Sequence, residues 1–168
     1  MRGLRVTSYK SRGTFLNKMK VGVIADTHGL LRPQALDALH GVALIIHAGD
    51  IGDRSILEAL EAIAPVHAVR GNNDTGCWAR DLPEARVVEA GGRKLYVLHD
   101  RKALRLRPAP ADCAAIIAGH SHKPLVDLRD GVLHLNPGSA GPRRFTLPVT
   151  VARLVIGDRL EAEIVELQ

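Results

Sequence analysis

Phenylalanine, tryptophan and tyrosine make up only 3% of the 168 residues. The chain therefore has few of the ring platforms on which single-stranded nucleic acid stacks. Cysteine is scarcer still: Cys77 and Cys113 are too few and too far apart for a secreted disulfide framework or a zinc ribbon. Both read as packing residues in a reduced, cytoplasmic setting. No apolar run approaches the roughly 18–20 residues of a membrane-crossing helix. The opening stretch MRGLRVTSYKSRGTFLNK lacks the apolar block of a secretory signal.

The body of the chain also lacks a charge excess. The net charge is +5, but residues 1–19 carry Arg2, Arg5, Lys10, Arg12 and Lys18 and no acid, which leaves 18 basic and 18 acidic residues in 20–168. A nucleic-acid reader carries its basic stripe on the fold itself, so no nucleic acid beyond small nucleotides is expected as a partner, and no membrane. Residues 1–18 read as a basic N-terminal extension, disordered or non-essential, with Met19 as a second candidate start, and residues 19–168 as one domain. A chain of this length buries about two-thirds of its unfolded surface without disulfide support.

Short continuous apolar runs KVGVIA (20–25), ALIIHA (43–48), PVHAVR (65–70), KLYVLH (94–99) and AAIIA (114–118) read as strands covered on both faces. Later runs, VLHLNP (132–137), PVTVARLVI (148–156) and RLEAEIVEL (159–167), alternate, as strands with one wetter face do. Between the first three, RPQALDALHG has Pro33 near a helix start and Gly41 just past its end, and DRSILEALEAIA places Ile56, Leu57, Leu60 and Ile63 on one helical face. The opening is βαβαβ. RKALRLRPAPADC begins as a short helix that must stop before Pro108.

Each buried run ends in polar groups: Asp26-Thr27-His28-Gly29, then Asp50, then Asn72-Asn73-Asp74, then His99-Asp100, then His120-Ser121-His122. In open α/β sheets ligands sit beyond the carboxyl ends of parallel strands. If the runs neighbour one another in one sheet, the five ends converge on one crevice. One D-x-H or H-x-H alone is usually a satisfied loop; five at the same structural position predict a metal centre. Carboxylates, an amide oxygen and imidazoles without thiolate suit Mn²⁺, Fe, Co²⁺, Ni²⁺ or Zn²⁺ better than Ca²⁺ or a structural zinc site. Seven donors are too many for one tetrahedral ion and suit two ions of the kind that clamp phosphate esters.

DTHG (26–29), HAGD (47–50), RGNND (70–74), the histidine of VLHD (97–100) and GHSHKP (119–124) resemble the successive signatures of the calcineurin-like metallophosphoesterases. NPGSAGPRRF (136–145) is similar to their small YfcE-like bacterial and archaeal phosphodiesterase branch. The resemblance covers residues 19–168. It implies a single-domain α/β fold, a four-layer α/β/β/α sandwich of two mixed β-sheets, with a dinuclear centre at one end. It assigns Asp26, His28 and His122 to one ion, Asn72, His99 and His120 to the other, and Asp50 to the bridge. The implied activity is phosphodiester hydrolysis of small phosphoesters by water activated to hydroxide between two divalent ions, Mn foremost, with Asp50, Asn72 and His99 catalytic through coordination. The alternatives are a phosphomonoesterase or nucleotide-directed hydrolase, and a non-catalytic protein-binding scaffold like the retromer subunit of the same superfamily. A homodimer is left open.

Two positions depart from the family pattern. The histidine that often follows the asparagine is here Asn73, which can contact substrate but cannot act as a general acid; the glycine usual after the fifth-strand histidine is Asp100. His47 reads equally as a hydrogen-bond partner of a ligand or a packed histidine, as does His134. Asp74 orients the Asn72 loop or serves the turn, and Arg143 or Arg144 grips a phosphate or is solvated. Ser139 reads as a turn residue, and Trp78 as core or rim packing.

Overall fold

The computed structural model describes residues 6–8 and 18–168. Most of the basic extension 1–18, with the disorder expected of it, thus lies outside the described residues; its Val6–Ser8 backbone forms a strand, β1. The chain continues through β2 (Met19–Ile24), α1 (Pro33–Leu39), β3 (Leu44–His47), α2 (Arg54–Glu61), β4 (Val66–Ala68), β5 (Ala85–Ala90), β6 (Arg93–Leu98), β7 (Cys113–Ile117), β8 (Leu125–Arg129), β9 (Val132–Asn136), β10 (Thr150–Ile156) and β11 (Leu160–Glu166). Short 3-10 helices occupy Cys77–Ala79 and Arg101–Arg105. No helix among the described residues is long and apolar enough to cross a membrane.

Two mixed sheets result. The first has the order β1-β11-β10-β2-β3-β4, with β2, β3 and β4 parallel and β10 antiparallel to both β2 and β11. The second has the order β5-β6-β7-β9-β8, parallel at its centre and antiparallel at both edges.

Alternation along each strand decides which side of a sheet a side chain reaches. Val21, Val23 and Ala25 of β2 and its exit, with Leu44, Ile46 and Ala48 around β3, meet Leu95, Val97, Ala115, Ile117, Leu133 and Leu135 of the second sheet in one dry layer. Each such Val, Leu or Ile contributes about 1.5–3 kcal/mol by burial. The opposite face of the first sheet, including Ile24 and Ile45, is covered by Ala35, Leu39, Ile56 and Leu60 of α1 and α2. That double cover explains why these strands read as unbroken apolar runs. Gly22 makes α1 fit: a Cβ there would stand 2.5 Å from Leu39 Cδ2. α2 starts at Asp53, whose carboxylate accepts from the Ser55 N–H at 2.8 Å.

The four layers expected are present, with the outermost reduced to the 3-10 helix 101–105, whose Ala103 and Leu104 cover Tyr96, Leu98, Ile116 and Ala118. Convergence within one sheet is corrected: the five polar strand ends come from β2, β3 and β4 of the first sheet and β6 and β7 of the second. Face-to-face packing of the two sheets brings them together.

Candidate metal centre

Leaving the strands, the backbone turns into left-handed conformation at the residues that carry the donors. Asp26, His28, Asp50, His120 and His122 all have φ between 47° and 68°, a region that non-glycine residues seldom occupy. Such strain persists where surrounding structure overdetermines it, and it clusters at functional sites. Part of that determination is direct: the Asp26 N–H donates to Gly49 O at 3.0 Å and the His28 N–H to Asp50 O at 2.9 Å. The DTHG and HAGD loops are thereby zipped side by side.

Asp26, His28 and His122 form one group. His28 Nε2 and His122 Nε2 stand 3.3 Å apart with the rings stacked, and Asp26 Oδ1 lies 3.9 Å from the first and 3.5 Å from the second. Burial holds both imidazoles below their usual titration range, His122 at about 4, with the Arg144 guanidinium adding to the effect on it. Two neutral ring nitrogens therefore face each other and a carboxylate. Asp26 is itself fully buried, and desolvation pushes its carboxyl up to about 7 against the opposing pull of His99.

Asn72, His99 and His120 form the second group. His99 donates from Nδ1 to Ala48 O at 2.7 Å, which fixes Nε2 as the inward atom. That Nε2 is 3.0 Å from Asn72 Oδ1, 3.3 Å from His120 Nδ1 and 3.3 Å from Asp50 Oδ2. His120 Nδ1 is also 3.1 Å from Asn72 Oδ1. Burial alone would lower the titration of His99, but the Asp50 carboxylate and the Ala48 carbonyl outweigh it and raise the value.

Asp50 lies between the groups, its Oδ2 3.8 Å from His28 Nε2 and 3.3 Å from His99 Nε2. Although burial opposes ionisation, hydrogen bonds from His99 and Asn73 hold this carboxyl well below the usual range. Asn73 supplies two of them, its N–H to Oδ1 at 2.9 Å and its side-chain amide to Oδ2 at 2.7 Å. The residue expected at the substrate thus spends its amide on Asp50. Gly71 permits the contact, since a Cβ there would stand 2.1 Å from Asp50 N and Oδ1.

The remaining candidates separate into those near the donors and those elsewhere. Asp74 is buried and accepts from the N–H groups of Gly52 at 2.9 Å and Gly71 at 2.8 Å, tying two donor loops together. His47 is fully buried. Its Nδ1 accepts from the Gly49 N–H at 3.2 Å, so Nε2 carries the proton toward Thr27 Oγ1 at 3.0 Å, and that hydroxyl donates to Ile51 O at 2.8 Å. Asp100 caps the 3-10 helix through the Lys102 N–H at 2.9 Å, with Oδ2 3.8 Å from His120 Nε2. Ser139 donates to Asp26 O at 3.0 Å. Arg143 and Arg144 are exposed, and the charge of Arg144, not of Arg143, is felt at Asp26, His28 and His122. His134 lies on β9, away from the donors, with Nδ1 buried and without a hydrogen-bond partner among the described residues, and Trp78 packs at the edge of the helical core.

Sequence reasoning missed Thr27 and Asn136. The Asn136 amide donates to Gly119 O at 2.8 Å and to Ser121 Oγ at 3.1 Å, steadying the loop that carries His120 and His122. An asparagine immediately before a Pro-Gly turn was the available signal.

Residues 19–159 match the calcineurin-like phosphoesterase superfamily domain. The chain belongs to the calcineurin-like phosphoesterase superfamily. It is 36% identical over 163 residues to a probable metallophosphoesterase of Methanocaldococcus jannaschii, across 89% of this chain and 82% of that protein. A phosphodiesterase of the same organism is 29% identical over 139 residues, across 71% of this chain and 83% of the relative. Among solved structures, Vps29 of Entamoeba histolytica complexed with zinc is 27% identical with a TM-score of 0.68, over 89% of this chain and 100% of that one. This calcineurin-like chain is a metal-dependent phosphoesterase, and its donors fit divalent ions. Asp26, His28 and His122 bring ligand atoms within 4.8 Å of one another, as do Asp26, Asp50 and His99.

Proposed function

We propose that this phosphoesterase hydrolyses small phosphodiesters with two divalent ions, manganese foremost. Asp26, His28 and His122 would hold one ion, Asn72, His99 and His120 the other, and Asp50 would serve both. The position of Asp50 Oδ2 carries the reading: it lies 3.8 Å from a nitrogen of the first group and 3.3 Å from a nitrogen of the second. When bound, such ions activate water and polarise the phosphoryl oxygens. A mixed oxygen and nitrogen set without thiolate suits Mn, and Ni, Fe, Co or Zn as well. The two free cysteines, one exposed and one buried, accord with a cytoplasmic enzyme.

The residues of the chain do the positioning. Asn73 holds both oxygens of Asp50, Asp74 holds the backbones that present Asp50 and Asn72, and the neutral His47 holds the Gly49 N–H beside Asp50 and the Thr27 hydroxyl beside Asp26. No histidine follows Asn72 to protonate a leaving oxygen, and the amide of Asn73 is engaged, so the leaving group takes its proton from solvent. That favours esters whose alcohols leave readily. A relative named as a phosphodiesterase supports the diester preference.

The test is turnover of bis(p-nitrophenyl) phosphate beside p-nitrophenyl phosphate by the Mn²⁺-loaded full chain. A strong preference for the diester is expected. Equal or better monoester turnover would make the protein a phosphomonoesterase. No turnover of either would leave the protein-binding role for which the Vps29 likeness argues.

A further inference from the structure

A cavity of about 590 Å³ opens from Asn72, His99 and His120 and runs between the loop after β4 and the 3-10 helix 101–105. Its size falls within the roughly 300–1,000 Å³ of small-molecule sites. Three arginines line it, Arg70, Arg80 and Arg107, together with three carboxylates, Asp74, Glu84 and Asp100. Glu84 is fully committed: Oε1 accepts from Arg70 Nη2 at 2.8 Å and Oε2 pairs with Arg107 Nη1. Each oxygen is used once, and the two arginines come from distant parts of the chain. Arg80 is exposed and has no acceptor among the described residues. Asp74 is spent on the Gly52 and Gly71 N–H groups and Asp100 on the Lys102 N–H, so Arg80 is the one guanidinium of the lining that stands without a carboxylate partner among the described residues.

An unspent guanidinium at the mouth of such a cavity suits a phosphate group. A guanidinium offers planar, forked donors that match phosphate oxygens, and Arg80 is the one of the three with its fork unspent. The Arg70–Glu84–Arg107 bridge holds the neighbouring donors in place without rotamer freedom to lose on binding. We infer that this cavity is a second phosphate subsite, in which Arg80 grips a phosphoryl group carried on one arm of the diester while Asn72, His99 and His120 face the scissile phosphate. The substrate is accordingly an unsymmetrical diester with a terminal phosphate on one arm. The inference rests on the reading of the metal centre as the site of diester hydrolysis.

Calorimetric binding to the Mn²⁺-loaded full chain tests it with two nucleotides that differ by one phosphate, thymidine 5′-phosphate and thymidine 3′,5′-bisphosphate. The bisphosphate should bind at least about tenfold more tightly, a difference of the size one charge-assisted pair supplies. Arg80→Ala should bring the ratio close to one; its side chain makes no contact on which folding depends. Arg54→Ala, on the remote helix α2 and paired only with Glu58, should leave the ratio unchanged. Equal affinities in the wild type, or a ratio that survives Arg80→Ala, overturns the subsite. Turnover of bis(p-nitrophenyl) phosphate by the same preparations reports on the diesterase reading separately: a ratio that depends on Arg80 without turnover supports the phosphate subsite and removes the reaction.

Discussion

Replacing Asp74 by alanine should unsettle the whole site although Asp74 is not a donor to it. Its two oxygens each accept one backbone N–H, from Gly52 at 2.9 Å and Gly71 at 2.8 Å, and its side chain is buried. Alanine leaves both N–H groups without acceptors, that of Gly71 at a buried position and that of Gly52 at a partly buried one. Each lost bond to a charged acceptor costs about 1.5–3 kcal/mol, so the pair sums to about 3 kcal/mol at the low end. In a domain of this size 1 kcal/mol shifts Tm by about 2–4 °C, which gives a drop of about 6–12 °C. Urea unfolding followed by circular dichroism measures the free energy, and a thermal scan the midpoint. Asp74→Asn, which keeps one acceptor, should fall between alanine and the wild type. A loss under about 1 kcal/mol for Asp74→Ala would refute the reasoning and return Asp74 to simple turn chemistry.

Burial holds His47 at about 3, below the roughly 6.5 of an unfolded histidine. The unfolded chain therefore takes up a proton that the folded form refuses, and this contribution to stability is lost as pH falls from about 6.5 toward 3. The excess stability of wild type over His47→Gln should shrink by about 1.4 kcal/mol between pH 7.5 and 5.5; comparison with the variant cancels the opposite trend from Asp26. An unchanged difference in urea unfolding at the two pH values would contradict a neutral, buried His47. Chelation with EDTA should abolish hydrolysis and Mn²⁺ should restore it in the wild type, while Asp50→Asn should lose at least about 100-fold in kcat/KM and show less bound metal by elemental analysis. Full metal content in that variant would displace Asp50 from its place between the two groups.

The strands that carry the donors were legible because packing on both faces leaves continuous apolar runs, and the polar residues that end them stand out. Three strands escaped notice, β1, β5 and β8, and all three are sheet edges. Edge strands carry charge against unwanted pairing: ARVVEA buries only Val88 and Ala90, and LVDLR buries none of its residues fully. The polar residues that end the apolar runs were legible as a set, but not the route by which they meet, since spacing along a chain does not encode which sheet a strand joins. Nor did the residue types reveal that Asn73 turns toward Asp50, 23 residues away, or that Glu84 joins Arg70, 14 residues before it, to Arg107, 23 residues after it. Asp100 was noticed as a departure from the family pattern, and its capping of the next 3-10 helix explains the local loop.

The left-handed backbone at Asp26, His28, Asp50, His120 and His122 sets the stability of the chain against the side chains those positions carry. At about 1 kcal/mol each, five such residues store about 5 kcal/mol, comparable with the net stability of a whole domain. Glycine at any of the five would relax the backbone and remove a donor together, so at these positions gains in stability and retention of metal pull in opposite directions.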